Sequence, residues 1–493
     1  MRYFKVTALT SATILSANIA AAEKPNVLII HTDEHSFRTL GCYREILSER
    51  EQHIWANSRE VETPNIDALA HGGVMFSRCY ATTPVSSPSR ASFITGMYPQ
   101  NCGVETNDLK LRTDLTSFAE QLSDNGYQTY YVGKWHLDGD PKPEWEPKDN
   151  CGFINNKYMF NRGHYKLILD DEQGVRESDK SIKTIGLNDK NFTTDFLTNK
   201  AIEYIKENGT KTPFCLMLSI PDPHGPNIVR APYDTMYNDV KFGYPVSAKV
   251  DTTTPGWNHG DLKMENMVKY FGMVKCIDDN IGRLVSFMKE ENLLHNTIII
   301  FTSDHGDMCG EHHLTNKGVP QDGSSRVPFI VSYPGKIAEG SVVKEAVSVV
   351  DFAPTILALT STENKTTYEG RNISQMITSG KAPKDWKDVV FMRGVTAKAY
   401  DDNGGTPSKN QWVSAVSQRF KLVLSEIAGE KPWLLDMQND PFEMKNEIDN
   451  PQFKDDLRFL ARELTEYGRK YNDPRILSSS KIRNELTTLS NIK

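Results

Sequence analysis

Two short acidic clusters carry the first chemical signal in this chain. Thr32-Asp33-Glu34-His35 follows the apolar run 26–31 (NVLIIH), and Ser303-Asp304-His305-Gly306-Asp307 follows the run 297–302 (TIIIFT). Each run has the length and composition of a buried strand, so each cluster stands just beyond a strand's carboxyl end, where ligands bind in α/β sheets. Hard oxygen ligands converging from two strand ends suit calcium or magnesium. Either cluster alone reads as ordinary turn chemistry, in which Asp is common. Together, and with the next segment, they favour a metal.

That segment is Ser86-Ser87-Pro88-Ser89-Arg90-Ala91-Ser92-Phe93-Ile94-Thr95-Gly96. A Ser with Pro two residues later has the pattern of a helix N-cap and first turn. Free amides and the helix dipole bind anions there, and Arg90, one turn inside, adds a fixed positive charge. Lys134 and His136 follow the run 127–132, and His224 follows 214–219 within Pro-Asp-Pro-His-Gly-Pro, a turn stiffened by prolines. An imidazole so held suits an acid that donates a proton to a leaving group.

The elements that must position these residues predict an α/β fold. Runs 26–31, 127–132, 214–219, 297–302 and 327–333 read as buried strands with helices between them, which implies a large, mainly parallel sheet flanked by helices. Phe271, Val274, Ile277, Ile281, Leu284 and Met288 recur at helical spacing and predict one apolar helix face. The polar stretch 360–387 reads as a linker. Beyond it, a strand at 420–425 and a final helix with Phe453, Leu457, Leu460, Leu464 and Tyr467 on one face predict a smaller α+β subdomain. The expected division is a signal peptide at 1–22, a catalytic domain at 23–375 and a C-terminal subdomain at 376–493.

With 25% charged residues and a net charge of −7, nothing directs the chain to nucleic acid or an anionic membrane. A negatively charged substrate would have to be held locally, by a metal or by clustered cations. Arg2 and Lys5, the apolar and small run 6–19, and Ala20-Ala21-Ala22 have the form of a signal peptide. The run is too short and too rich in Ser and Thr to span a bilayer, and no Cys near it invites a lipid anchor. A periplasmic or secreted protein without a membrane anchor is expected. Seven cysteines, none in a metal-binding spacing, read as buried thiols with room for one or two disulfides.

Ser86-x-Pro88-Ser89-Arg90 followed by Ala-Ser-Phe-x-Thr-Gly resembles the maturation signature of the formylglycine-dependent sulfatases of the alkaline phosphatase superfamily, in the Ser-type form of bacterial carbohydrate sulfatases. Other blocks match in order: Pro25-Asn26-Val27 to Asp33, Gly133-Lys134-Trp135-His136, Asp222-Pro223-His224, Ser303 to Asp307, Lys317, and Arg326-Val327-Pro328 to Pro334-Gly335. Asp351-Phe352-Ala353-Pro354-Thr355 and Leu434-Leu435-Asp436 to Asn439-Asp440-Pro441 extend the resemblance over nearly the whole mature chain.

The resemblance implies hydrolysis of sulfate esters, with O-sulfate groups on a glycosaminoglycan, mucin or other glycan as substrate. It implies that Ser86 is oxidised to formylglycine (3-oxoalanine) by a sulfatase-maturing radical enzyme of an anaerobe, before export. An aldehyde hydrate offers one hydroxyl as nucleophile and a second whose deprotonation expels sulfate, an exit that a plain Ser sulfate lacks. Asp33, Glu34, Asp304 and His305 take the calcium-ligand positions, with the modified Ser86 as a further contact. The family more often has Asp or an amide at the Glu34 position, so the longer side chain either ligates or stands behind the ligands. Lys134 is assigned to the sulfate and nucleophile, His136 to the release step as base, His224 to the leaving alcohol as acid, and Lys317 to sulfate oxygens. His312 and His313 gain no such support and read as surface residues or as supports behind the ligands. Trp145, Tyr158, His164, Tyr165 and Tyr233, in the loops 142–175 and 227–257, are candidates for stacking on sugar rings.

Two other readings compete. A phosphatase or phosphodiesterase of the same superfamily would need extra His and Asp ligands for a second metal, and no pair in the sequence is spaced to supply them. A silent sulfated-glycan-binding protein would follow if Ser86 stayed unmodified, but binding alone would not require Lys134, His136 and His224 together.

Overall fold

Strand β1, Asn26–Asp33, is buried along its whole length, and its alternate residues feed two different cores. Val27 and Ile29 pack with Val74, Phe93, Met217 and Ile300 on one face of the sheet. Leu28 and Ile30 pack with Phe37, Leu216, Leu284 and Phe301 on the other. A strand that is apolar on both faces belongs in the middle of a sheet covered by helices. The computed structural model describes residues 24–55, 59–209, 211–249, 264–395 and 411–492. The expected signal peptide and the last part of loop 227–257 lie outside them.

The sheet has seven further strands among the described residues: β2, Gly73–Phe76; β3, Gln128–Lys134; β4, Met159–Phe160; β5, Phe214–Pro223; β6, Thr297–Ser303; β7, Phe329–Ser332; and β8, Ser341–Val343. Their order is β8-β2-β7-β6-β1-β5-β3-β4. β7 runs against β6 and β2, and the other neighbouring pairs are parallel. The expected strand 327–333 is divided at Pro328, which has no N–H to give a ladder. Arg326–Val327 pairs instead with Cys79–Tyr80 in a separate small sheet. Register brings the carboxyl ends level: Thr32 lies opposite Ser303, and Asp33 opposite Pro223.

Helix α1, Ser86–Thr95, is polar in sequence yet buried at every residue. It is capped one residue earlier than its pattern suggests, at Val85, so the Ser86 hydroxyl is not used as a cap. Gly96 ends it at φ +61, where an added Cβ would lie 2.5 Å from the Tyr368 ring. Helices α2, Thr193–Asn208, and α3, Asn266–Glu290, follow. All six residues of the expected α3 face are buried.

The C-terminal subdomain is a four-stranded antiparallel sheet, β9 (Val390–Arg393), β10 (Trp412–Val416), β11 (Phe420–Ser425) and β12 (Trp433–Asp436) in that order, covered by α4, Lys454–Lys470. Leu457, Leu460, Leu464 and Tyr467 are buried as expected, whereas α4 is not the last helix. α5, Ser480–Ser490, follows and adds Ile482, Leu486 and Leu489 to the same core. The stretch read as a linker holds the helix Ser374–Ser379, whose Met376 and Ile377 pack into the core of the large sheet. The boundary expected at 375/376 falls inside that helix. All seven cysteines are free thiols, so no disulfide braces the fold.

Leu284 is fully buried in the middle of α3. Leu284→Ala is expected to lower unfolding free energy by about 2–5 kcal/mol in urea titrations. A loss well under ~1 kcal/mol would show that this face does not carry the packing assigned to it.

Candidate active site

The strand ends are joined through Asp304. Its Oδ1 accepts from the backbone N–H of Glu34 at 3.1 Å and of His305 at 2.9 Å. Glu34 reaches that position with φ +62, a conformation seldom adopted outside glycine. From α1, Arg90 spans the remaining strand ends. Nε donates to Asp304 Oδ2 (2.9 Å), Nη2 to Asp33 Oδ2 (3.2 Å), and Nη1 to the Lys134 carbonyl (3.0 Å) and Ser219 Oγ (2.8 Å). The charge foreseen at Arg90 therefore lies beneath the carboxylates. Gly133 lets β3 approach β5 here: a Cβ would fall 1.9 Å from the Ser219 carbonyl oxygen.

Above Arg90 the donors converge. Asp33, Asp304 and His305 present ligand atoms within 4.8 Å of one another, and His305 Nε2 lies 3.2 Å from Ser86 Oγ. Asp33 Oδ1 and Glu34 Oε1 are buried and have no hydrogen-bond partner among the described residues. Burial pushes both carboxyls up, but facing charges outweigh it: Lys134 above all holds Asp33 well below the usual range, and His224 and Lys317 hold Glu34 at about 2. Ionised oxygens buried without partners are strongly unfavourable unless a cation answers them. Burial lowers His305. Its Nδ1 pairs with the Gly306 carbonyl at 2.9 Å, which leaves the Nε2 lone pair facing the cluster. This oxygen-dominated set fits a hard cation.

Lys134 and Lys317 flank the cluster. Lys134 Nζ is ion-paired with Asp33 and lies 3.5 Å from Ser86 Oγ. Lys317 Nζ lies 3.1 Å from Glu34 Oε2 and 2.6 Å from His224 Nε2. His224 Nε2 is 3.0 Å from Glu34 Oε2, and its Nδ1 pairs with the Gly225 carbonyl at 2.8 Å. Beside Glu34 and His224 opens a cavity of about 250 Å³ lined by Asn227, Asn266, Asn316, Met264 and Met267. His136, at φ +64, places Nε2 3.0 Å from Asp108 Oδ1, which also takes Arg162 at 2.9 Å. Burial, then Lys134, holds the His136 imidazole at about 4, so it is neutral near pH 7.

Asp108 and Arg162 were not foreseen, and nothing local in the sequence marks them. The loop aromatics pack against the protein itself. Trp145 and Tyr165 pack on Phe160, Tyr158 packs on Phe196, and Tyr233 is buried with its hydroxyl on Asp279. His164 stacks instead on His224, with ring centroids 3.5 Å apart. His312 is buried and His313 exposed, so only the second is a surface residue.

The Sulfatase family model matches residues 25–362, and the model for the C-terminal part of N-sulphoglucosamine sulphohydrolase matches 310–470. The uncharacterized sulfatase YidJ of Escherichia coli is 29% identical over 477 residues, 92% of this chain and 88% of its own. The N-acetylglucosamine-6-O-sulfatase of Bacteroides thetaiotaomicron is 25% identical over 538 residues, 94% of this chain and 90% of its own. A protein solved in complex with its substrate, D-glucosamine-2-N,6-O-disulfate, superposes with a TM-score of 0.73 at 24% identity, covering 92% of this chain and 99% of that one.

The loop that carries Lys317 is gripped by the C-terminal subdomain. Trp412 Nε1 donates to the Gly318 carbonyl at 3.2 Å. Lys421 Nζ, fully buried, donates to the Pro320 carbonyl (2.7 Å), Asp322 (2.7 Å) and Glu443 (2.5 Å). Lys421→Met takes the buried ammonium away from Glu443, while Asp322 keeps Arg326, Arg78 and Tyr80, and is expected to cost about 3–5 kcal/mol in urea unfolding and to lower turnover as Lys317 loses its anchor. A variant as stable and as active as the parent would refute this anchoring.

Proposed function

The chain belongs to the sulfatase family, sulfuric ester hydrolases of the alkaline phosphatase superfamily, and from that premise we propose that it removes O-sulfate groups from saccharides with a calcium ion and a formylglycine made from Ser86. One observation carries the reading. Ser86 Oγ, free of any capping role, lies between His305 and Lys134 in a site that holds two buried carboxylate oxygens without a partner among the described residues.

Asp33, Glu34, Asp304 and His305 would hold the cation. Bound there, the ion and the aldehyde hydrate supply charge neutralisation and a nucleophile with its own release step. Lys134, 3.5 Å from Ser86 Oγ, and Lys317, beside Glu34, hold the sulfate oxygens. His224 gives a proton from Nε2 to the leaving alcohol, which departs poorly without one. His136 takes a proton: with Nε2–H donating to Asp108, its buried and unpartnered Nδ1 carries the lone pair. The cavity beside His224 supports a sugar as leaving group, because its amides can meet hydroxyls and its methionines a ring face. The named relative that acts on N-acetylglucosamine 6-O-sulfate supports the same substrate class. The segment 1–22 supports export to the periplasm or beyond, after maturation. Among the described residues no helix is long and apolar enough to cross a membrane.

A two-metal phosphatase has one observation in its favour, since Asp33, His164 and His224 also present ligand atoms within 4.8 Å of one another. The Lys134 ammonium occupies that space. It is paired with Asp33 and lies 2.8 Å from His164 Nε2, so a second cation would meet a like charge.

The test measures sulfate and phosphate release from sulfated sugars and phosphate esters, using protein co-produced anaerobically with a Ser-type maturase. Sulfate release is expected, Ser86 should be lighter by two hydrogens in mass spectra, and Ser86→Ala should be inactive. Full activity in Ser86→Ala would refute the mechanism, and phosphate release alone would favour the phosphatase. Thorough calcium chelation is expected to suppress turnover and calcium to restore it. Activity that survives chelation removes calcium from the reaction.

A further inference from the structure

The segment 164–166 is built around His224. The rings of His164 and His224 lie face to face, with centroids 3.5 Å apart and planes within 4°. Two residues on, Lys166, fully buried, pairs with Asp222 and donates to the backbone carbonyl of His224 at 2.9 Å. The segment is itself anchored to α2: Thr193 Oγ1 donates to the Tyr165 carbonyl at 2.7 Å, and the Thr193 N–H to that of Lys166 at 3.2 Å. One loop therefore grips both the backbone and the ring of His224.

What else holds that ring matters. Its Nε2 meets Lys317 at 2.6 Å and Glu34 at 3.0 Å. Both partners have other work in the reacting enzyme, Glu34 toward the cation and Lys317 toward sulfate. Once they turn to it, the His224 ring keeps, among the described residues, its Nδ1 bond to the Gly225 carbonyl and the stack with His164. A single hydrogen bond leaves the ring free to swing about it, and a flat neighbour at van der Waals distance does not. His164 is fixed in turn by its own segment, whose next two residues are tied to α2 through Thr193.

The geometry points to His164 as a positioning residue for the proton donor His224, holding its ring in line with the leaving oxygen after Lys317 and Glu34 have engaged sulfate and cation. This rests on the acid role given to His224 above. Because His164 acts through the acid, its importance scales with the leaving group's need for a proton.

The test compares His164→Ala, His164→Phe and His164→Asn with the parent, each matured in the same way. The substrates are aryl sulfates whose phenols run from 4-nitrophenol, which leaves readily, to unsubstituted phenol, which does not. His164→Ala is expected to lose roughly tenfold to a hundredfold in kcat on phenyl sulfate but less than about threefold on 4-nitrophenyl sulfate, with KM little changed. His164→Phe keeps a flat ring over His224 and should recover most of the loss. His164→Asn keeps a polar group near Lys134 without a ring and should not. Equal losses across the series would tie His164 to Lys134 and the sulfate group and overturn the proposal, as would no loss on any substrate. His224→Ala, run alongside, separates the two failures: a loss there that ignores the leaving group refutes the acid role of His224 itself. The crystal structure of His164→Ala decides the matter without substrate. A displaced His224 ring is expected, and a ring unmoved from its present plane overturns the proposal.

Discussion

The guanidinium of Arg90 is the contact on which the rest of the site depends. Three carboxylates, Asp33, Glu34 and Asp304, are gathered at the ends of parallel strands with almost no exposure to water. Like charges so placed repel strongly, and each resists burial. Arg90 answers two of them from below, and its remaining N–H groups take the Lys134 carbonyl and Ser219 hydroxyl. A planar fork with five donors can do this, and a single ammonium cannot. With Arg90 spent on the strand ends, the upper side of the cluster is left for a cation, and α1 is held at the angle that presents Ser86.

Four imidazoles share this small volume, and they differ in what each ring's second nitrogen meets. His305 and His224 pair Nδ1 with the carbonyl of the next residue, so Nε2 faces the site in both. His136 spends Nε2 on Asp108, which leaves Nδ1 without a partner among the described residues. His164 spends Nε2 on Lys134 and offers its face. Backbone carbonyls, a carboxylate and an ammonium thus set the tautomer or the orientation of each ring.

The C-terminal subdomain bears on the proposed site by the same logic. Lys317 stands on a loop with little regular structure of its own, and its geometry is borrowed from Trp412 and Lys421 on β10 and β11. Lys421 joins that loop to Glu443 through buried charge, so the two sheets are tied at the point where the site needs them.

Much of this was legible in the residues themselves. The strands that carry Asp33, Asp304, Lys134 and His224 show as apolar runs because a strand covered on both faces has no polar position to spare, and α3 shows because one face repeats at helical spacing. The acidic clusters stand where those strands end and Ser86 where α1 begins, so the candidate residues could be named from local pattern and from resemblance. Other features were decided only in three dimensions. Composition does not tell an aromatic that meets a sugar from one that fills a core, and Trp145, Tyr158, Tyr165 and Tyr233 turned inward. Polar stretches hide short helices, as at Ser374–Ser379, when two buried residues suffice to seat them. Asp108 on His136, His164 on His224 and Lys421 on Pro320 join residues 28, 60 and 101 positions apart. Local sequence sets which groups a chain can offer and where its elements begin and end. Which group meets which depends on strand register and on how loops dock, and those are settled by the packing of the whole molecule.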